Sequence, residues 1–353
     1  LVNGTINYDL SDLNLIGVYI QEGEEYIQTN EIPTSGYEFN SEESYCTINN
    51  ERDDTITLSF DMTTQNLTVT PLTKKGTKCY LYFDEKASAG DTILAASRPQ
   101  AQTTDWTGQT TYYYTGANPD NWVYFANFYW RIIRINGDGS IRMIYQGTSA
   151  NTTGTGTRTG TSAFDSDRYN KTHVGLVYDG STQHGSGSPS TIMTTLNNWY
   201  NSNLASYEED YIDTGTGFCS DRNMASGSNF NSSGTIYYAP YNRTSSGSLQ
   251  CNELDVLSQD NGKIPNPIGL LTSDEYVLAG SGNSYLDVGI DYWTMSPCYS
   301  DGSRAYVFFV YSSGYLSDGN VDWAGSGVRP VINLKSAITI TGEGSVDKPF
   351  KIQ

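Results

Sequence analysis

The chain has 353 residues, enough for about two domains at roughly 150 residues each, and carries 39 Asp and Glu against 20 Lys and Arg, a formal net charge of −19. That imbalance argues against a nucleic-acid partner, because affinity for phosphate backbones comes from basic side chains displacing counterions, and it disfavours an anionic membrane surface for the same reason. With 28 Tyr and 35 Gly beside abundant Ser, Thr and Asn, the composition is turn-rich and β-leaning, as in cell-surface proteins, and no apolar run reaches the length of about 18 residues that spans a bilayer.

Residues 1–12 read as an N-terminal extension. The start on Leu1 rather than Met suggests removal of an upstream signal or anchor, so membrane contact is expected only through a segment absent from this chain. Residues 13–86 contain the runs LIGVYI, TITLSF, LTVTPL and KCYLYF separated by polar turns. Short strands at this spacing, with one possible Cys46–Cys79 bridge, predict a small immunoglobulin-like β-sandwich acting as a spacer, without the core Trp of antibody domains. Residues 87–110 are irregular and suit a linker, or a strand docking onto the second domain.

The remainder, 111–353, reads as an α+β domain with two helices among antiparallel strands. It opens on WVYFANFYWRIIRINGDGSIRMIYQG, where Asn136-Gly-Asp-Gly should turn a hairpin because those residues tolerate positive φ. The acidic turn lacks the later ligands of a calcium loop. Residues 148–162 are low-complexity and exposed. Ser190 caps a predicted helix whose apolar face carries Ile192, Met193, Leu196, Trp199, Tyr200 and Leu204. A second, shorter helix is predicted over 273–279, with Thr272 and Glu275 forming a capping box and Gly280 ending it. Between them lies a long Gly/Ser-rich insertion that a Cys219–Cys251 bridge would staple. Further strand-like runs, YWTMSP, AYVFFVY, YLSDG, GVRPVINLK, ITITG and KPFKI, complete the chain.

No Cys or His spacing suits zinc, so two disulfides and one leftover thiol, Cys298, in an oxidising compartment is the reading, with five reduced buried thiols as the alternative. His173 and His184 lie in Gly/Ser-rich segments and read as exposed loop residues. No nucleophile elbow, phosphate loop, dinucleotide fingerprint or metalloprotease motif occurs. No catalytic residue, metal ligand or cofactor is therefore assigned.

One stretch remains, Cys298–Gly327, built largely of Tyr, Ser, Asp and Gly, with one Arg and no Lys, Glu, Gln or Met. These are the residue types of antibody binding loops, where Tyr gives rigid amphipathic contact area and small polar residues adapt. The candidate ligand contacts are Cys298, Tyr299, Asp301, Ser303, Arg304, Tyr306, Phe308, Tyr311, Ser313, Tyr315, Ser317, Asp318, Asn320, Asp322 and Trp323. Several alternate with smaller or apolar residues, so on strands one face would pack inward and the other meet a partner.

The motifs WRIIRINGDGSIRMIYQGTSANTTGTGT, FCSDRN, IGLLTSDEYVLAG, YWTMSP and GVRPVINLKS, in this order, resemble the variable proteins of bacterial diversity-generating retroelements, whose fold is similar to C-type lectins and formylglycine-generating enzymes. The resemblance covers about 111–353, and similar proteins carry a preceding β domain. It implies a C-type-lectin-like domain on the bacterial cell surface that binds an unknown protein or glycan through a variable region of about 298–326. In that family, adenine-directed copying by a reverse transcriptase turns Asn codons into Tyr, Ser, Asp, Gly, Phe, Cys or Arg, but never Lys, Glu, Gln or Met. Cys298 is then one draw from the mutable set, while Trp323 is framework or derives from another codon. Two alternatives are an enzyme of the formylglycine-generating class, which would need paired copper-binding cysteines, and a non-variable adhesin or phage-fibre tip.

Overall fold

The computed structural model describes residues 16–34, 36–62, 64–71, 77–99 and 101–352, so the 1–12 extension lies outside the described residues. The chain divides into two compact units, Leu1–Ser88 and Ala89–Gln353. Both are β-rich, built from several small sheets.

In the first unit, period-2 alternation decides which side chains meet. Val18, Cys79, Leu81 and Phe83 point to one face and are buried, while Tyr19, Tyr80 and Tyr82 take the other. The five-stranded sheet runs Glu25–Thr29, Ile16–Glu22, Thr77–Glu85, Tyr37–Ile48, Glu51–Arg52. Its Ile16–Glu22 and Thr77–Glu85 pair is parallel. The hairpin Thr57–Asp61/Asn66–Thr70 forms a separate sheet, and its Leu58, Leu67 and Val69 share one core with the inward face. On the other face Tyr19 stacks on Tyr82 at 4.8 Å and Tyr45 on Tyr80 at 4.9 Å. The Cys46–Cys79 disulfide is formed between directly opposed residues of neighbouring strands. It ties two strands of a single sheet.

The second unit has one continuous core around two larger sheets. The first contains the predicted hairpin, Phe128–Ile135 and Ile141–Gly147, closed by Asn136, whose carbonyl accepts from Gly139 and whose N–H donates to Ser140. Trp122–Phe125, Phe350–Ile352 and Ile340–Thr341 extend it on one side and Val331–Leu334 on the other. The second sheet is a meander of Tyr292–Ser300, Ala305–Val310 and Leu316–Asn320, with the short strands Gly160–Thr161, Ile236–Tyr237 and Gly327–Val328 added to it.

The helix Thr191–Asn203 follows the predicted periodicity, with Ile192, Met193, Leu196 and Tyr200 buried and the Ser190 side chain accepting from Met193 N–H at 3.3 Å. The helix Ser273–Leu278 carries the full Thr272/Glu275 capping box. The sequence predicts two helices, and among the described residues there are four. Ala89–Ala96 and the single turn Glu208–Tyr211 are the others. The first of these lies in the segment read as a linker: 89–113 supplies that helix and the strands Ala101–Thr104 and Thr110–Tyr113, the latter pairing with the hairpin. A helix of two turns with one fully buried large side chain, Ile93, leaves too little periodicity to read.

Below the meander lies a buried ionic cluster. Glu275 Oε1 is 2.5 Å from Arg142 Nε and 3.2 Å from Arg134 Nε, and all three side chains are essentially excluded from water. Burial alone would raise the Glu275 carboxyl. Arg142, Arg134 and the Thr272 N–H outweigh that and hold it below its ordinary value.

Candidate ligand-binding face

The meander mounts most of the nominated residues. Tyr292–Cys298 is buried throughout, and Tyr299 is the position in that strand where a large side chain reaches partial exposure. Tyr299 pairs in register with Tyr306, and their rings stack at 4.2 Å with planes 12° apart. The Tyr299 hydroxyl donates to Asp318 Oδ2 at 3.2 Å, and the Tyr306 hydroxyl to Asp301 Oδ2 at 3.2 Å. Burial and then the Asp318 charge push the Tyr299 phenol well above its usual range, so it stays a neutral donor.

Beside the edge strand Leu316–Asn320 the surface opens into a recess of about 500 Å³ lined by Tyr306, Phe309, Asp318, Gly319, Asn320, Asp322 and Trp323. Its aromatic wall is fixed from beneath: Trp323 lies 5.1 Å from Phe309 and 5.8 Å from the buried Trp293. Glycine is needed at 319, since a Cβ there would sit 2.9 Å from the Trp293 ring. Arg168 reaches Asp322 at 2.9 Å and so neutralises one of the two carboxylates.

The nominated residues do not all meet. Tyr306, Asp318, Asn320, Asp322 and Trp323 line the recess, and Tyr299 adjoins it through Asp318. Asp301, Ser303 and Arg304 are exposed on the first turn of the meander, where Asp301 Oδ1 accepts from the backbone of Ser303 and Arg304 and thereby shapes the turn. Tyr311, Ser313 and Tyr315 are exposed on the second turn, at the opposite end of a six-residue strand, with the two tyrosine rings 4.9 Å apart. That strand separates the two turns by about 20 Å. Ser317 is half-buried on the edge strand.

Two nominated contacts are corrected. Cys298 and Phe308 are 1% and 4% exposed and face no solvent. Strict alternation fails because the pairing of the first two meander strands shifts register on both sides of Pro297, and because Val307 through Val310 are buried on both faces. Burial pushes the Cys298 thiol up, with Asp318 adding to the shift, so it remains protonated. The histidines read as exposed are also otherwise: His173 is buried with Nδ1 3.3 Å from Asp165, and His184 Nδ1 lies 2.9 Å from Asp255.

The aromatic patch extends beyond the nominated stretch. Tyr237 and Tyr241, from the Gly/Ser-rich insertion, lie 5.9 and 6.4 Å from the Tyr299 ring. The Cys219–Cys251 disulfide is formed and closes this insertion, while Arg243 anchors it through Asp221 at 2.6 Å and Asp274 at 2.7 Å. The available signal is the tyrosine cluster in a stapled Gly/Ser loop, Tyr237, Tyr238 and Tyr241, although it does not distinguish Tyr238, which is buried in the core. The two disulfides fit an extracellular protein. No helix among the described residues is long and apolar enough to cross a membrane. Comparison with known proteins found no matching family model, curated protein or solved structure.

Proposed function

We propose that this chain is a surface-displayed ligand-binding protein whose second unit has a C-type-lectin-like fold and whose meander face, residues 298–326, is the diversified surface of a retroelement variable protein. The first unit acts as an immunoglobulin-like spacer, and the ligand is a protein or glycan. The observation that carries the reading is the recess lined by Tyr306, Asp318, Asn320, Asp322 and Trp323 beside the Tyr299–Tyr306 stack. Of the mutable-type residues there, Tyr306, Asp318 and Asn320 stand on strands whose inward side chains are buried framework and Asp322 on the turn that follows, so recognition can change while packing does not. Trp323, packed on Phe309 and Trp293, belongs to the framework, in keeping with a codon outside the mutable set.

An enzyme of the formylglycine-generating class would need Cys298 as a thiolate with a cysteine partner. Its thiol is held protonated by burial, and the other four cysteines are joined in disulfides. The deciding experiment is genomic: a near-copy of the sequence encoding 298–327 should lie beside a reverse-transcriptase gene, with differences confined to adenines of the copy. Differences spread over all four bases, or no such copy in the complete source genome, overturn the reading.

A further inference from the structure

The outer strand of the meander, Leu316–Asn320, is the last of its sheet and pairs on one side only, with Ala305–Val310. Bonds at its two ends decide which of its backbone groups face outward. Tyr311 N–H donates to the Tyr315 carbonyl at 2.8 Å, and Val321 N–H to the Ala305 carbonyl at 3.1 Å. Bonded pairs in an antiparallel ladder recur at every second residue. Phe309/Ser317 and Val307/Gly319 therefore exchange the bonds in between, while Leu316 and Asp318, opposite Val310 and Phe308, turn their N–H and C=O groups away from the sheet. No turn, loop or side chain among the described residues takes up those four groups. At Asn320 the edge closes, because its carbonyl accepts from Trp323 N–H at 2.9 Å.

Open backbone groups on an edge strand are a template for one more strand. The recess at the same edge indicates what that strand must carry. Its lining has two carboxylates and no basic side chain. Asp322 is matched by Arg168 at 2.9 Å. Asp318 is exposed, accepts from the neutral Tyr299 hydroxyl and has no ion-pair partner among the described residues. The half-buried rings of Tyr306 and Trp323 share that lining, and aromatic surface beside a lone carboxylate favours an ammonium or guanidinium group. A second copy of this chain is a poor occupant, since it would bring another Asp318 and a net charge of −19 to the same edge.

We propose that an extended segment of a partner protein adds to the edge at Leu316–Asp318 and places a Lys or Arg side chain in the recess, against the Asp318 carboxylate. This rests on the reading of the meander face as the ligand-binding surface, and it narrows the ligand from a protein or glycan to a protein. It also divides recognition into two parts. Backbone pairing does not depend on which side chain stands at 318, so it persists when that position is diversified. The side chain at 318 then selects the charge of the partner.

The test selects a phage-displayed library of random twelve-residue peptides on the full chain, with a panel of neutral oligosaccharides offered in parallel. Selected peptides should be enriched in Lys and Arg. Isothermal titration of the synthesised peptides should show affinity reduced about fivefold by Asp318→Asn and further by Asp318→Lys, with the melting temperature unchanged because the side chain is exposed. N-methylation stepped along the peptide should weaken binding at alternate positions, about tenfold at each sensitive one, since only every second residue of an added strand turns its N–H to the edge. Peptides selected without basic residues, binding indifferent to Asp318→Lys, or N-methyl sensitivity without that alternation would overturn the assignment. Oligosaccharide binding that is lost when Tyr299 and Tyr306 become Ser would also overturn it, while leaving the ligand-binding reading of the face intact. Binding of neither class would count against both.

Discussion

Glu275→Ala should be the most damaging single change to the second unit. The substitution strips one carboxylate from between two guanidinium groups that are 2% and 1% exposed, leaving buried charge uncompensated at a cost of about 3–5 kcal/mol. It also removes the Glu275 Oε2 contact to Thr272 N–H, 2.9 Å in the capping box, worth about 1 kcal/mol. At about 2–4 °C per kcal/mol for a unit of this size, the melting temperature should fall by roughly 10–20 °C. Differential scanning calorimetry of wild type, Glu275→Ala and Glu275→Gln measures this. The glutamine variant keeps the shape and loses the charge, so it should show most of the drop. The pH dependence has a definite sign, because the folded-state carboxyl sits below its ordinary value. The stabilisation is complete above the unfolded value of about 4.3 and disappears as pH falls through the depressed folded value. Wild type should therefore lose more stability than Glu275→Gln on acidification below about pH 4. A drop under about 3 °C for Glu275→Ala, or identical acid sensitivity of wild type and Glu275→Gln, would refute the assignment of scaffold stability to this cluster.

Exchanging Tyr299, Arg304, Tyr306, Tyr311 and Tyr315 for Ser should cost only about 1–2 kcal/mol, chiefly the Tyr299–Tyr306 stack, while abolishing capture of ligands selected on the wild-type face; a collapse of the melting temperature would show these to be core residues. Replacing Cys219 and Cys251 by Ser frees a loop of sequence separation 32, and chain entropy gives a loss of about 4 kcal/mol, read by urea denaturation. Cys298 should resist thiol reagents in the native protein and react stoichiometrically in denaturant, and rapid native labelling would contradict its burial. Gly319→Ala places a Cβ against Trp293 and should alter ligand capture together with Trp323 fluorescence; no change in either would mean the strand is free to shift.

The parts of the fold visible in the sequence are those where local chemistry and tertiary packing agree. The helix Thr191–Asn203 has both a cap and a continuous apolar stripe, and Ser273–Leu278 has its capping box written into Thr272 and Glu275. The Asn136–Gly139 turn and both cysteine pairs are legible for the same reason. Burial of Cys298 and Phe308 is not, because the register shift at Pro297 and the covering of both faces of Val307–Val310 leave no mark in residue type. Arg134 and Arg142 lie in the hairpin strands, and Glu275, more than 130 residues away in sequence, supplies the charge shared by both that lets them be buried. The contribution of Tyr237 and Tyr241 likewise depends on how a long insertion folds back over the meander.

The parallel pairing of Ile16–Glu22 with Thr77–Glu85 has a mechanical consequence. Tension entering before Ile16 and leaving after Glu85 loads the two strands from opposite ends, so their ladder is sheared along its length and its bonds must give way together. Should they yield, the Cys46–Cys79 link still withholds 33 residues from extension, roughly 110 Å of contour at about 3.4 Å per residue. Pulled in this way, the first unit would hold back nearly half of the Ile16–Glu85 span behind the disulfide.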